Sequence, residues 1–458
     1  MTVHKFLPNS EEGILKEMLH RVGLQDISEL FSAIPNKVRL DRPLNLPEAM
    51  SEIELEKFVA SKLAKNKSAP ESLNFIGGGN WIHHVPSIID EILGRSEFYT
   101  AYTPYQPEIS QGMLQGMFEY QSQICELTSM DVANSSLYDW GTALGEAGRM
   151  ANRVTRRKKI LVPSNVSPER LGVLQTYTYP LGVEIERIPC EPSGRTDVSA
   201  LDTMLDRETA AVYLENPNFL GIIEDNVDTI AEKCHALGAL VIVGVNPITL
   251  GLLKPPGSYG TDIVVGDGQP LGLYANLGGP LMGIFATRED SNLLRQMPGR
   301  VIGATKSKDG IRRGYTMVLQ TREQHIRREQ ATSNICTNEA LFALAVSIYL
   351  TSMGPQGMKE VGEHIVLNAH YALKRFKEEG LKAPNFTGSF FGDVSIVTKC
   401  SSDELSKRLI DFNILGGLPL GRFYQNLRNV SLFSFSELHT ADDIERLISA
   451  LKQIESVG

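Results

Sequence analysis

The sequence lacks most features that announce a chemistry by themselves. Its five cysteines (Cys125, Cys190, Cys234, Cys336, Cys400) are scattered, with no CxxC pair. That spacing gives neither a disulfide framework nor a zinc site and fits reduced thiols. No apolar run near the N-terminus resembles a signal peptide, and Glu11 and Glu12 follow soon after the start. The most apolar stretch, 238–253, is broken by Asn246 and Pro247 and is too short to cross a bilayer. A net charge of −9 favours solubility and weighs against a general nucleic-acid binder. No GxGxxG fingerprint and no HExxH motif are present, which removes the usual signatures of a nicotinamide dehydrogenase and of a zinc hydrolase. A soluble, cytoplasmic protein is expected, and 458 residues suffice for two or more domains.

What is present is an alternation. Residues 1–65 read as an appendage of short amphipathic pieces joined by Pro35, Pro43 and Pro47. Residues 66–330 carry β-rich runs at 159–162, 183–188, 210–214, 240–243, 263–265 and 281–285, separated by helix-compatible segments such as 167–181 and 227–237. Strand–helix–strand repetition of this kind predicts an α/β domain with a mostly parallel sheet covered by helices on both faces. Residues 331–458 change character: long helical stretches (338–351 and 359–379) lead into a small C-terminal α+β domain. There Ser401–Glu404 and Thr440–Asp443 carry capping-box patterns ahead of amphipathic helices.

Several local patterns invite a functional reading. Gly77-Gly78-Gly79 lacks dinucleotide-loop spacing, and a flexible turn accounts for it better. His83-His84 has no carboxylate partner at ligand spacing, and no metal site is expected. The segment 95–112 is unusual, packing Tyr99, Thr100, Tyr102, Thr103 and Tyr105 among prolines that forbid a regular helix. Phenols provide apolar walls with a polar tip, so a ligand mouth and an interface or core loop both fit its composition. Arg322, His325, Arg327 and Arg328 form a basic cluster whose default reading is a solvated helix face paired with Glu323 and Glu329.

Taken together, SEFYTAYTPYQPEISQG (96–112), MDVANSSLYD (130–139), GDGQPLG (266–272), LGGP (277–280), MPGR (297–300) and LQTREQHIRREQATSNICTNEAL (319–341) are long and specific. From about residue 30 onward the chain resembles the alpha subunit (subunit 1) of glycine dehydrogenase (decarboxylating), the P-protein of the glycine cleavage system. The resemblance implies the aminotransferase-like, fold type I architecture of pyridoxal-phosphate enzymes. It also implies a heterotetramer of two alpha and two beta subunits. That assembly would decarboxylate glycine and pass the aminomethyl group to the lipoyl arm of the H-protein.

The same resemblance exposes what this chain is missing. Pyridoxal-phosphate chemistry needs a lysine for the internal Schiff base and an acid beside the pyridine nitrogen. Where relatives of the fold place the acid at the end of a buried strand, this chain has Gly244; where they place His-Lys, it has Gln269-Pro270. Lys254 and Lys306 lie outside the matching context, and Trp140 replaces a residue of the loop that cradles the cofactor phosphate in active relatives. Pyridoxal 5'-phosphate is therefore expected on the beta subunit, with lipoate on the H-protein as co-substrate and no catalytic residue in this chain alone. Tyr99, Thr100, Tyr102, Thr103 and Tyr105 are expected to line the partner's site across the interface. Thr332, Ser333 and Asn334 are expected to reach its cofactor phosphate, where an anion strengthens donated hydrogen bonds. The rival readings are a free-standing pyridoxal-phosphate enzyme of the desulfurase kind and a structural or regulatory relative of the fold without part in catalysis.

Overall fold

Continuous runs of branched apolar residues form the centre of a seven-stranded sheet in the computed structural model, which describes residues 4–67, 72–79, 81–275, 281–320 and 323–457. In chain order its strands are β1 (Val132–Ala133), β2 (Lys159–Pro163), β3 (Glu184–Ile188), β4 (Thr209–Glu215), β5 (Leu240–Val245), β6 (Ile263–Asp267) and β7 (Gly283–Thr287). The spatial order is β1-β7-β6-β5-β4-β2-β3. The pairings β6/β5, β5/β4, β4/β2 and β2/β3 are parallel, whereas β7 runs antiparallel to β6 and to β1. Every residue of β4, β5 and β6 is buried, so these strands read as unbroken apolar runs rather than as alternating ones. Parallel strands need crossover helices, and the sequence supplies them as amphipathic segments. Helix α1 (Gln111–Thr128) precedes β1, and the crossovers include α2 (Trp140–Thr155), α3 (Pro168–Thr178) and α4 (Val227–Ala236).

A second layer follows the long helical segment α5 (Ala340–Glu378), which is two helices merged across a break at Gly354, with Pro355 next to it. Beyond it, Asp393–Val397, Val430–Ser434 and Leu418–Pro419 form a three-stranded antiparallel sheet. Its core gathers Phe376, Val394, Leu405, Phe433, Ile444 and Leu451. The strand Leu73–Phe75 joins this part of the chain by pairing in parallel with Ile414–Gly416, and the Phe75 ring stacks 4.4 Å from that of His439. The Thr440–Asp443 capping box is reciprocal; at Ser401 only the hydroxyl caps, because the Glu404 carboxylate turns to Arg408.

Residues 1–67 form a unit by themselves, with helices Glu12–Arg21 and Glu52–Leu63 and reciprocal capping boxes at Asp26 and Ser51. Leu19 is its one buried apolar side chain among the described residues. An antiparallel hairpin, Val301–Lys306 with Arg313–Val318, had no counterpart in the sequence reading, although Asp309-Gly310 between two short runs is a hairpin signal. The LGGP motif at 277–280 lies outside the described residues.

Backbone contact is closest where the turn Pro256–Tyr259 meets the end of α1. A Cβ on Gly257 would stand 1.8 Å from the Ser129 carbonyl oxygen, a contact no rotamer change relieves. Gly257→Ala should therefore lower the stability of the chain by about 3 kcal/mol. A thermal melt checks this, and an unchanged midpoint would show that the turn has room to move.

Candidate functional site

The C-terminal ends of the parallel strands open into a cleft of about 490 Å³, where open α/β sheets normally take their ligands. Its floor is set by the start of α2. Asp139 caps that helix, its carboxylate accepting from the Thr142 amide at 2.7 Å while its own amide donates to the Thr142 hydroxyl. The first helical residue is Trp140. Behind it, Asp267 ends β6 and is buried, accepting from the Gln269 amide at 2.9 Å with the Trp140 amide more distant at 3.4 Å. Burial pushes the Asp267 carboxyl up to about 6, against the lowering effect of these amides. A helix N-terminus attracts anions, and here this chain's own two carboxylates occupy it.

The Trp140 indole fills the next position. Its Nε1–H donates to the Tyr213 hydroxyl at 3.1 Å, and that hydroxyl donates to Glu215 at 3.0 Å. Glu215 pairs with Arg170 at 3.0 Å and accepts from the Ser167 amide. The Arg170 guanidinium then covers the indole, its carbon 3.4 Å from the ring centroid. A Cβ on Gly244 would lie 2.5 Å from the Tyr213 oxygen and 2.7 Å from the indole, so glycine at this place is what admits the tryptophan. The stack is continuous from α2 through β4 to α3.

The cleft does not fit pyridoxal phosphate. No lysine lines it. Gln269 is buried, with its side-chain amide donating to the Leu273 carbonyl, and Pro270 is buried beside it. Lys254 and Lys306 are exposed on the surface. A phosphate at the α2 N-terminus would meet Asp139 and Asp267, and a pyridine ring would meet Trp140. The inner end of the cleft contains His83, whose Nδ1 lies 2.8 Å from Glu437, and Asp393, which burial raises to about 6.

The sequence-predicted aromatic residues lie elsewhere, on a loop that runs from the short helix Ser96–Tyr99 to Ser110. Tyr99, Tyr102 and Tyr105 are each more than half exposed; Thr100 is exposed and Thr103 only partly so. The Tyr102 hydroxyl lies 3.3 Å from that of Thr337, and the Arg300 Nη2 donates both to the Tyr105 hydroxyl at 2.8 Å and to the Cys336 carbonyl at 2.6 Å. Two segments more than two hundred residues apart in sequence are thus brought together, an adjacency that no spacing rule exposes. Within 332–334 the Ser333 hydroxyl accepts from the Ile335 amide, and Asn334 is exposed. Ser333 and Arg149 are the polar neighbours of Glu146, whose carboxyl is raised by burial and lowered less by Arg149, Arg153 and Ser333. Of the basic cluster, Arg322 lies outside the described residues, whereas the His325 ring meets that of Tyr105 edge-on at 6.4 Å.

The chain is similar to several known proteins over nearly its whole length. The family model of the glycine cleavage system P-protein matches residues 4–451. Probable glycine dehydrogenase (decarboxylating) subunit 1 of Staphylothermus marinus is 46% identical over 469 residues, covering 99% of both chains. Its counterpart in Carboxydothermus hydrogenoformans is 47% identical over 447 residues, covering 98% of this chain and 99% of the other. The crystal structure of inhibitor-bound glycine decarboxylase (P-protein) of the glycine cleavage system superposes with a TM-score of 0.85 at 40% identity, covering 98% of this chain and all of that one. A NifS-like protein, at 12% identity and a TM-score of 0.63, shares the fold alone.

The state of Asp267 gives the cleft a pH signature. Its folded-state pKa lies above the usual 3.8, so its contribution to stability is fully present below 3.8 and is lost as pH rises through about 6. Asp267→Asn should remove that loss, which amounts to about 3 kcal/mol at most. Denaturant titrations at several pH values check it, and parallel stability profiles for the two proteins would refute the assignment.

Proposed function

The chain belongs to the glycine cleavage system P-protein family, and from that premise we propose that it is the cofactor-free half of a two-subunit glycine decarboxylase. Its partner is the beta subunit, in an assembly of two of each, and the partner carries the pyridoxal phosphate that supplies the electron sink. The assembled enzyme takes carbon dioxide from glycine and hands the aminomethyl group to the lipoyl arm of the H-protein. The observation that carries this reading is the Trp140 indole lodged beside Gly244, backed by Arg170 and Glu215, in the space a cofactor ring would need. The name "subunit 1" borne by its relatives fits a chain that does not work alone.

This chain's own contribution is the surface it offers the partner. Tyr99, Thr100, Tyr102, Thr103 and Tyr105 wall the entrance by which glycine and the lipoyl arm reach the partner's cofactor. Thr332 and Asn334 present hydroxyl and amide donors toward that cofactor's phosphate, whereas the hydroxyl of the buried Ser333 is engaged within this chain. Exposed Tyr99, Tyr102 and Ile109 on one loop are apolar surface that a permanent partner would cover. The complex works in the cytoplasm; among the described residues no helix is long and apolar enough to cross a membrane.

Glycine–bicarbonate exchange, with lipoylated carrier present, tests the reading. Exchange is expected only when this chain and the partner are mixed, and exchange by this chain alone would overturn it. In the mixture, Tyr99→Phe and Thr332→Ala should each lower the rate about fivefold, the loss of one hydrogen bond, without loss of assembly. Unchanged rates for both would remove these residues from the site while leaving the two-subunit reading intact.

A further inference from the structure

Arg300 closes the MPGR motif, to which the functional reading gives no role. Its side chain is only 6% exposed, although it lies beside the exposed aromatic loop. The backbone fixes it from one side, the Ser135 amide and hydroxyl both donating to the Arg300 carbonyl at 2.7 and 3.0 Å. Nη2 is spent on the Tyr105 hydroxyl and the Cys336 carbonyl, and the guanidinium carbon lies 4.9 Å from the Tyr105 ring centroid. Nη1 is buried and has no hydrogen-bond partner. The side chain lines a small hollow with Tyr105, Met317, Gln320, Glu323 and His325. Among the described residues no carboxylate pairs with Arg300.

A guanidinium stays charged at any accessible pH. Burying one beside two neutral acceptors and no counter-ion costs several kcal/mol, which folded chains rarely carry without a compensating anion. The unused donor is fixed in direction, because the phenol and the carbonyl hold the rest of the fork. A planar carboxylate is the anion that such a fork best receives.

We propose that Arg300 is the receptor for a carboxylate that comes from outside this chain and enters the hollow beside Tyr105. The inference rests on the reading of this face as part of the partner's active site, and it adds a ligand chemistry and a residue to that reading. Two sources share the chemistry: the carboxylate of the amino-acid substrate, and an acidic side chain of the partner subunit. Either would neutralise Arg300 on arrival, beside the Tyr105 hydroxyl that already holds the guanidinium in place.

Two arms test this. The first uses the full chain alone, comparing its melting midpoint in sodium acetate and in sodium chloride of equal ionic strength. Acetate is expected to raise the midpoint of the wild type and not of Arg300→Met. The second uses the mixed complex with Arg300→Met and the charge-retaining Arg300→Lys. If the carboxylate belongs to the substrate, the KM for glycine rises about thirtyfold or more at unchanged assembly, and inhibition by the neutral analogue glycinamide is unaltered. If it belongs to the partner, the dissociation constant of the two chains rises by a similar factor, while the KM at saturating partner is unchanged. Assembly, KM and kcat all within twofold of wild type in both variants would overturn the proposal. A wild-type mixture without exchange would overturn the functional reading instead; the acetate arm then decides alone, and equal midpoints in the two salts would sink the proposal.

Discussion

The stack of Arg170 on Trp140, anchored by Glu215, is the contact on which the character of the cleft depends. Arginine in this position would normally be available to an anion entering from solvent. Here one face of the guanidinium is spent on the indole and one edge on a buried carboxylate. The indole in turn needs Gly244, because a side chain on that strand would overlap both the ring and the Tyr213 hydroxyl. Trp140, Tyr213, Glu215, Arg170 and Gly244 therefore form one interlocked set, and restoring an acid at Gly244 would require the tryptophan to leave. On the proposed reading, the place of a cofactor ring is taken by a repacked, hydrogen-bonded core rather than left as an empty hole.

A cleft whose inner position is taken by Trp140 changes what the rest of the fold is for. The parallel sheet and its helices still build a stable scaffold, with β4, β5 and β6 wholly buried. The surface features that remain unexplained by stability lie on the face carrying the aromatic loop and the segment 332–337. That face exposes large rings, holds a buried arginine with no counter-ion among the described residues, and joins distant parts of the sequence through Arg300 and the Tyr102–Thr337 contact. The exposed rings and the unpaired guanidinium cost free energy in an isolated chain, and a partner or ligand covering them would relieve that cost.

The sheet was legible in the sequence because buried parallel strands are written as apolar runs bounded by helices. The runs at 159–162, 210–214, 240–243 and 263–265 fall within observed strands, and the run at 281–285 overlaps a strand that begins two residues later. The hairpin after residue 300 was missed because its strands alternate weakly, leaving only an Asp-Gly turn as signal. Gly244, Gln269 and Pro270 could be singled out only once the family resemblance fixed the register. Trp140 was expected near the phosphate loop, yet its ring reaches across to Gly244, a distance that sequence separation conceals. Arg170, Tyr213, Glu215, Asp267 and the placement of Arg300 could not be read, because charge pairs and cation–π contacts between distant segments leave no periodic trace.

The account stands or falls on where the cofactor is held. Borohydride reduction of the reconstituted complex, followed by separation of the chains and mass spectrometry of their peptides, would locate the pyridoxyl group directly. The structure predicts that every pyridoxyl-lysine belongs to the partner chain and that none belongs to this one. A pyridoxyl-lysine on this chain would contradict the account, and would mean that the Trp140 stack opens to admit a ring.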